Sequence, residues 1–311
     1  KGVNAYAQEK YGDAHPLART QMQQADVVTT VLTCAGGQTV TLTLNTSLPR
    51  WYSRCFQVQG TKALFDENTR LVFGETIANP ALNVLDIEKP DVVILTGDVV
   101  TRKPAMKGWR KVVDMMEKAE IPFAVTMGNH DYENLSEDSI YHFLSQSRLF
   151  IGEKGPEALS GTGNYILPVY ASDGTDKVNA LLYCMDSNDY TPDSEKYGKY
   201  AWMDWGQINW YREQSQAYAE KNQGQPLPAL AFFHIGFPEY KHLQVPDKMY
   251  GHLGENGGFP KINSGMFSAM IEKGDVMGVF VGHDHDNDYI GQEYGIALAY
   301  GRVSGHDAYG D

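Results

Sequence analysis

Four apolar runs in this chain each stop at a short polar cluster, and that pattern restricts the fold more than any other feature. Val92 to Thr96 ends in Gly97-Asp98, and Phe123 to Met127 ends in Gly128-Asn129-His130-Asp131. Ala229 to Phe233 ends in His234, and Val276 to Val281 ends in Gly282-His283-Asp284-His285. In an open α/β sheet, ligands bind beyond the carboxyl ends of the strands, so the four clusters are expected to converge on one crevice. Together they offer carboxylate, amide and imidazole donors, a set suited to Zn, Mn or Fe and lacking the thiolates of a structural zinc site. The glycines let the backbone turn sharply where each strand ends. His283 and His285 are two apart, which places both rings on one side of an extended segment. Each cluster alone has an ordinary structural reading, a turn or a hydrogen-bonded core histidine. Their joint occurrence behind four apolar strands is what points to metal.

The segments between the clusters supply the helices of such a fold. Ala81 to Glu88 has helical spacing and is stopped by Pro90, and Gly108 to Glu120 is amphipathic and is broken by Pro122. Further on, apolar Ala180 to Met185 precedes a helical Trp205 to Lys221, and a helical Met266 to Lys273 precedes Val276 to Val281. Short apolar strands alternating with amphipathic helices predict a layered α/β fold with a buried sheet from about residue 75 to residue 311.

Residues 1–74 have a different, β-rich texture. Val27 to Cys34 and Thr39 to Thr46 are β-branched runs flanking Ala35-Gly36-Gly37-Gln38, a hairpin pattern. Lys62 to Phe65 and Arg70 to Phe73 bracket the turn composition Asp66-Glu67-Asn68. The chain is thus expected to contain two domains, 1–74 and 75–311.

Composition removes other classes. With 26 Lys plus Arg against 39 Asp plus Glu, the net charge is −13, and no basic run offsets it, which argues against nucleic acid as a partner. No apolar stretch approaches the roughly 20 residues of a membrane span. Cys34, Cys55 and Cys184 are too few and too scattered for a disulfide framework or a thiolate zinc site. The chain opens Lys1-Gly2-Val3 without a charged-then-apolar leader, so no signal peptide is expected within it. Oligomeric state is not legible.

Gly97-Asp98, Gly128-Asn129-His130-Asp131, His234 and Gly282-His283-Asp284-His285 resemble the motifs of the calcineurin-like metallophosphoesterases. The surrounding chain, with Leu85 to Asp91 leading into Leu95-Thr96-Gly97-Asp98 and with Phe232-Phe233-His234, is similar to their purple acid phosphatase-like bacterial branch. The resemblance implies a hydrolase of small phosphate esters with an α/β/β/α layered core and two metal ions. It implies that Asp98 bridges the metals, that Asn129, His234 and His283 complete one shell, and that His285 serves the other. His130 would protonate the leaving oxygen or stabilise developing charge. Thr101 stands where a purple enzyme would carry a tyrosinate, so no purple iron–tyrosinate colour is expected.

The same resemblance calls for an Asp-x-His motif on a first strand shortly before Gly97-Asp98. The upstream candidate is Asp13-Ala14-His15, flanked by Tyr11-Gly12 and Pro16 instead of an apolar strand, and it reads as an incidental turn. The core is therefore expected to lack its first strand and to bind one metal, or two if Asp13 and His15, or water, complete the second site.

Asp13 to Thr20, Asp26 to Thr30, Thr46 to Arg50 and Val58 to Lys62 are similar to part of the NAD-dependent α-N-acetylgalactosaminidase-type glycosidases of the Gfo/Idh/MocA superfamily. Only the sheet-bearing part is matched. The Gly-x-Gly-x-x-Gly turn of the dinucleotide half is absent, so no NAD site is expected. Tyr11, His15 and Tyr52 are candidate remnants of a sugar pocket. The chain therefore reads as a chimera, whether a natural fusion or an assembly accident, and after Gly301-Arg302 it is expected to stop short of the phosphoesterase family's last strands. Three functions follow for testing: an active phosphoesterase, a single-metal remnant without catalysis, and a glycosidase. By analogy with both families, the location is periplasmic or secreted.

Overall fold

The computed structural model describes residues 8–15, 18, 27–33, 39–45, 57–59, 63–66, 71–74, 85 and 88–303 apart from 246. The chain divides into two compact units, Lys1–Ile77 and Ala78–Asp311.

In the first unit, β1 (Val27–Thr33) and β2 (Thr39–Asn45) pair antiparallel, with Val27 opposite Asn45 and Thr30 opposite Leu42, as the two β-branched runs predict. Strands β3 (Gln57–Gln59), β4 (Ala63–Asp66) and β5 (Leu71–Gly74) form a second antiparallel sheet in sequence order. The expected turns at 35–38 and 67–68 lie outside the described residues, as does Tyr52. Asp13-Ala14-His15 forms a turn after the helical residues 8–11. Gln8 donates to the Asp13 carboxylate at 2.6 Å, and the rings of Tyr11 and His15 stack at 4.9 Å.

The second unit has two sheets between layers of helix. Parallel strands β6 (Val93–Thr96) and β7 (Phe123–Thr126) form the small sheet, covered by α1 (Ala105–Ala119) and α2 (Glu137–Leu144). Helix α1 begins three residues before the expected Gly108, because Pro104 takes the N-cap position and Ala105 is already buried. Of the helix expected over 81–88, the described residues Leu85 and Glu88 are helical.

The large sheet contains β8 (Tyr165–Tyr170), β9 (Val178–Cys184), β10 (Ala229–Phe232), β11 (Met249–His252), β12 (Val276–Val281), β13 (Asp288–Glu293) and β14 (Ile296–Tyr300). Its order is β11-β13-β14-β12-β10-β9-β8, with β9, β10, β12 and β14 parallel and the outer strands antiparallel. Two helices, here α4 (Trp205–Lys221) and α5 (Met266–Lys273), cover one face, and a short α3 (Ser194–Tyr197) precedes them. Ala124, Tyr165 and Cys184, with Ile94 and Leu167, join the two sheets. The layering is α/β/β/α, as expected.

Several elements are not legible from periodicity. Tyr294-Gly295 turns β13 into β14 with positive φ at both residues (48° and 86°), the geometry of a two-residue hairpin turn, but Tyr is a poor turn signal. Strand β8 ends exposed at Val169 and Tyr170, so its inward face is short.

The two strands of the small sheet differ in their surroundings. All four β7 residues are buried, and all four of β6 are only half-buried. The far edge of β7 is satisfied by Phe123 N–H on Leu149 C=O, Ile151 N–H on Phe123 C=O, and Tyr165, which accepts from Val125 N–H and donates to Val125 C=O. Among the described residues, no strand pairs with the far edge of β6.

Candidate metal centre

The site sits where β6, β7, β10 and β12 end. Asp98, His234 and His283 each bring one donor atom to within 4.8 Å of the others. His234 is the hub. Its Nδ1 lies 2.7 Å from the Thr96 carbonyl, which can only accept, so Nδ1 carries the proton and Nε2 is bare in the neutral ring. That Nε2 faces Asp98 Oδ2 at 3.0 Å and His283 Nδ1 at 3.3 Å. Lone pairs gathered in this way need a cation or a shared proton between them.

The electrostatics agree with that reading. Burial pushes the Asp98 carboxyl upward, but the His234 hydrogen bond and charge and the His130 N–H outweigh it, so Asp98 stays ionised below its ordinary range. Burial also opposes a charge on His234, yet the Asp98 partner raises it overall. His283 is pushed down to about 3, first by burial and then by His234, so its ring is neutral and free to ligate.

Close backbone approach makes the arrangement possible. A Cβ on Gly97 would lie 2.6 Å from His234 Nδ1, and one on Gly128 would lie 2.3 Å from the Asp98 backbone nitrogen. Asp98 and His283 both adopt left-handed backbone, with φ of 50° and 75°. Such strain in non-glycine residues persists only where the surroundings enforce it. Here Asp131 supplies the enforcement. It is fully buried, and its carboxylate accepts from Val100 N–H at 3.0 Å and Gly128 N–H at 2.9 Å, tying the loops after β6 and β7 together. Burial lifts its carboxyl to about 6. Asp284 is a second anchor, accepting from Gly258 N–H at 2.8 Å and the Tyr300 hydroxyl at 2.5 Å.

Asn129 gives the clearest test of whether a metal fits. Its Nδ2 donates to the Tyr190 hydroxyl at 2.8 Å, which fixes the amide, and its buried Oδ1 has no hydrogen-bond partner. An orphaned buried acceptor costs about 1–3 kcal/mol, and a bound cation would satisfy it. The donor set of one carboxylate, one amide oxygen and two imidazoles fits a borderline divalent ion.

His130 is placed separately. Its side chain is 41% exposed, its Nδ1 meets Glu133 Oε1 at 2.7 Å, and its backbone N–H donates to Asp98 Oδ1 at 2.8 Å. His285 is not part of the group of close donors around Asp98. The extended backbone expected at 283–285 is replaced by a turn, with Asp284 N–H on Gly282 C=O and Asn287 N–H on Asp284 C=O. Thr101 is exposed, and its carbonyl accepts from Asn134.

Sequence reasoning missed Glu133, Tyr190, Lys199 and Tyr200. Glu133 carries a signal in its i+3 spacing from His130. The other three lie in a loop, where neither periodicity nor glycine marks them.

Comparison with known proteins follows the division of the chain. Residues 1–82 match the family described as "Glycosyl hydrolase 109, C-terminal domain". An "Alpha-N-acetylgalactosaminidase" from Tannerella forsythia is 38% identical over 80 residues, 26% of this chain and 17% of that protein. "Probable inactive purple acid phosphatase 29" from Arabidopsis thaliana is 32% identical over 244 residues, 73% of this chain and 62% of that protein. "Phosphatase DCR2" from Saccharomyces cerevisiae is 28% identical over 221 residues, 66% of this chain and 38% of that protein. The chain thus spans about three fifths of the length of its Arabidopsis relative and less of the yeast one. A dimetal phosphatase from Danio rerio aligns with a TM-score of 0.49 at 15% identity, covering 71% of this chain and 74% of that one. The homologues are purple acid phosphatase-like, of the calcineurin-like kind, and a glycosyl hydrolase 109 domain matches the amino-terminal segment, a pattern that a chimeric chain fits.

Proposed function

We propose that this chain, with purple acid phosphatase-like relatives covering most of its length, is a phosphoesterase that hydrolyses small phosphate esters with the help of bound metal. The orphaned Asn129 Oδ1, beside the loop that presents Asp98, carries this reading. Asp98, Asn129, His234 and His283 would hold one ion. When bound, such ions activate a water for in-line attack on phosphorus and neutralise charge on the ester.

The chain's own residues do the rest. Thr96 and Tyr190 fix His234 and Asn129 so that their free atoms face inward. Glu133 accepts from His130 Nδ1, so in the doubly protonated ring the Nε2–H is the proton left to pass to the leaving oxygen. Asp131 keeps the two loops in register while this happens.

A second reading has its own observation behind it: the Arabidopsis relative carries the name "Probable inactive purple acid phosphatase 29", so a single-metal remnant without turnover also fits. Turnover of 4-nitrophenyl phosphate with added Mn separates the two readings. Saturable hydrolysis that is lost in Asp98→Asn, with the circular dichroism spectrum unchanged, supports the enzyme. Undiminished turnover in that variant refutes the assignment. A glycosidase reading would be revived by release of N-acetylgalactosamine from an aryl glycoside. Export to the periplasm or medium is part of the proposal by analogy with relatives of both segments.

A further inference from the structure

The loop after β9 returns on itself to build a rigid bracket at the metal centre. Thr191 N–H donates to Lys199 C=O and Ala201 N–H to Asp189 C=O, both at 3.0 Å, and Tyr190 and Tyr200 form an isolated antiparallel bridge. Asn188 ties the base down, with Nδ2 on the Trp202 carbonyl and on Gln207 Oε1, both at 2.9 Å.

Three side chains of the bracket face the centre or its mouth. The Tyr190 hydroxyl accepts from Asn129, and the Tyr190 ring meets His130 edge-on at 6.3 Å. The Tyr200 ring stands perpendicular to His283 at 4.5 Å. The two tyrosine rings lie within 26° of parallel, with centroids 6.0 Å apart. Lys199 donates to the Tyr200 hydroxyl at 2.8 Å, and its ammonium lies 4.7 Å from that ring and 5.7 Å from the Tyr190 ring. Tyr190 is pinned at its hydroxyl yet remains 37% exposed. A ring held in place and partly exposed is a stacking surface whose ordering cost is met before a ligand arrives. A cation at the mouth of a chain with net charge −13 attracts an anionic ester.

We propose that Tyr190, Lys199 and Tyr200 form a leaving-group subsite that selects aromatic phosphate esters over aliphatic ones; this deepens the phosphoesterase reading and rests on it. The phosphoryl group would lie at the Asp98 cluster, the ring of the leaving group would stack on the tyrosines, and Lys199 would draw in the anion.

The test compares kcat/KM for phenyl phosphate and glycerol 2-phosphate in the wild type, Tyr190→Leu, Tyr190→Phe, Tyr200→Leu and Lys199→Met. General damage to the metal centre slows both esters alike, so the ratio isolates the subsite. The two Leu variants are expected to lower the phenyl-to-glycerol ratio about three- to tenfold, the size of one aromatic contact. Tyr190→Phe keeps the ring and so keeps the ratio, although both rates fall as Asn129 loses its partner. Lys199→Met slows both esters and weakens their dependence on ionic strength. A ratio that moves less than twofold in both Leu variants overturns the proposal. If the wild type turns over neither ester, the phosphoesterase reading fails, and calorimetric binding of phenylphosphonate against methylphosphonate with Mn present judges the subsite alone. A phenyl preference lost in the Leu variants upholds it; equal affinity, or no binding of either, overturns it.

Discussion

Strands β6 and β7 are parallel neighbours of the same length and similar apolar character, yet among the described residues they differ in burial and in how their outer edges are met. Strand β7 is buried along its length, and its far edge is closed by residues 149–151 and by the Tyr165 hydroxyl. Strand β6 is half-buried at every position and has one paired edge among the described residues. The metal centre is built largely on the closed side: donors at the ends of β7, β10 and β12 are oriented by Tyr190, Thr96 and the packing of His283.

The largest expected effect breaks the comparison at its shared residue. Asp98 ends β6 but is held by the loop after β7, so Asp98→Asn should lower phosphate-ester turnover by at least about a hundredfold, with metal retention falling in parallel. Loss of turnover with full metal retention would place the role of Asp98 outside metal binding.

Stability sharpens the contrast between the strands. Val125→Ala in β7 removes fully buried methyls and should cost about 2 kcal/mol in urea unfolding. Val93→Ala in β6 should cost less, about 1 kcal/mol, because Val93 is only partly buried. Equal costs would mean that β6 is covered as well as β7. Tyr165→Phe should cost about 1–3 kcal/mol, because it strips the hydroxyl that serves both backbone groups of Val125.

Two smaller effects follow. Cys184 lies between the sheets, and burial pushes its thiol up to about 12, so it should resist iodoacetamide at pH 8 until the protein is unfolded. Ready labelling of the native protein would mean that the sheets part. With iron bound, Thr101 in place of a tyrosinate should leave the visible spectrum without an intense purple band.

How much of this was legible depends on which signals a residue carries. An apolar strand that stops at a carboxylate, amide or imidazole, with or without an intervening glycine, is a local signal, and it singled out Asp98, Asn129, His130, His234 and His283. Buried periodicity likewise marked α4, α5 and β12 closely. The backbone at 283–285 was read as extended, whereas His283 enters the left-handed region and a turn follows. Tyr190 and Tyr200 could not have been marked, since their position depends on a loop returning to the site through pairing that spacing does not encode. The supporting role of Asp131 was hidden for a related reason: its partners Val100 and Gly128 become neighbours only when β6 and β7 pair.

The most direct test of the central claim is the metal content of the whole chain, measured by elemental analysis after reconstitution with Mn or Zn and removal of loosely bound ions. The account predicts at least one retained ion per wild-type chain and less than a tenth of that in the His234→Ala, His283→Ala double variant. No retained metal in the wild type, or undiminished metal in the double variant, would contradict it.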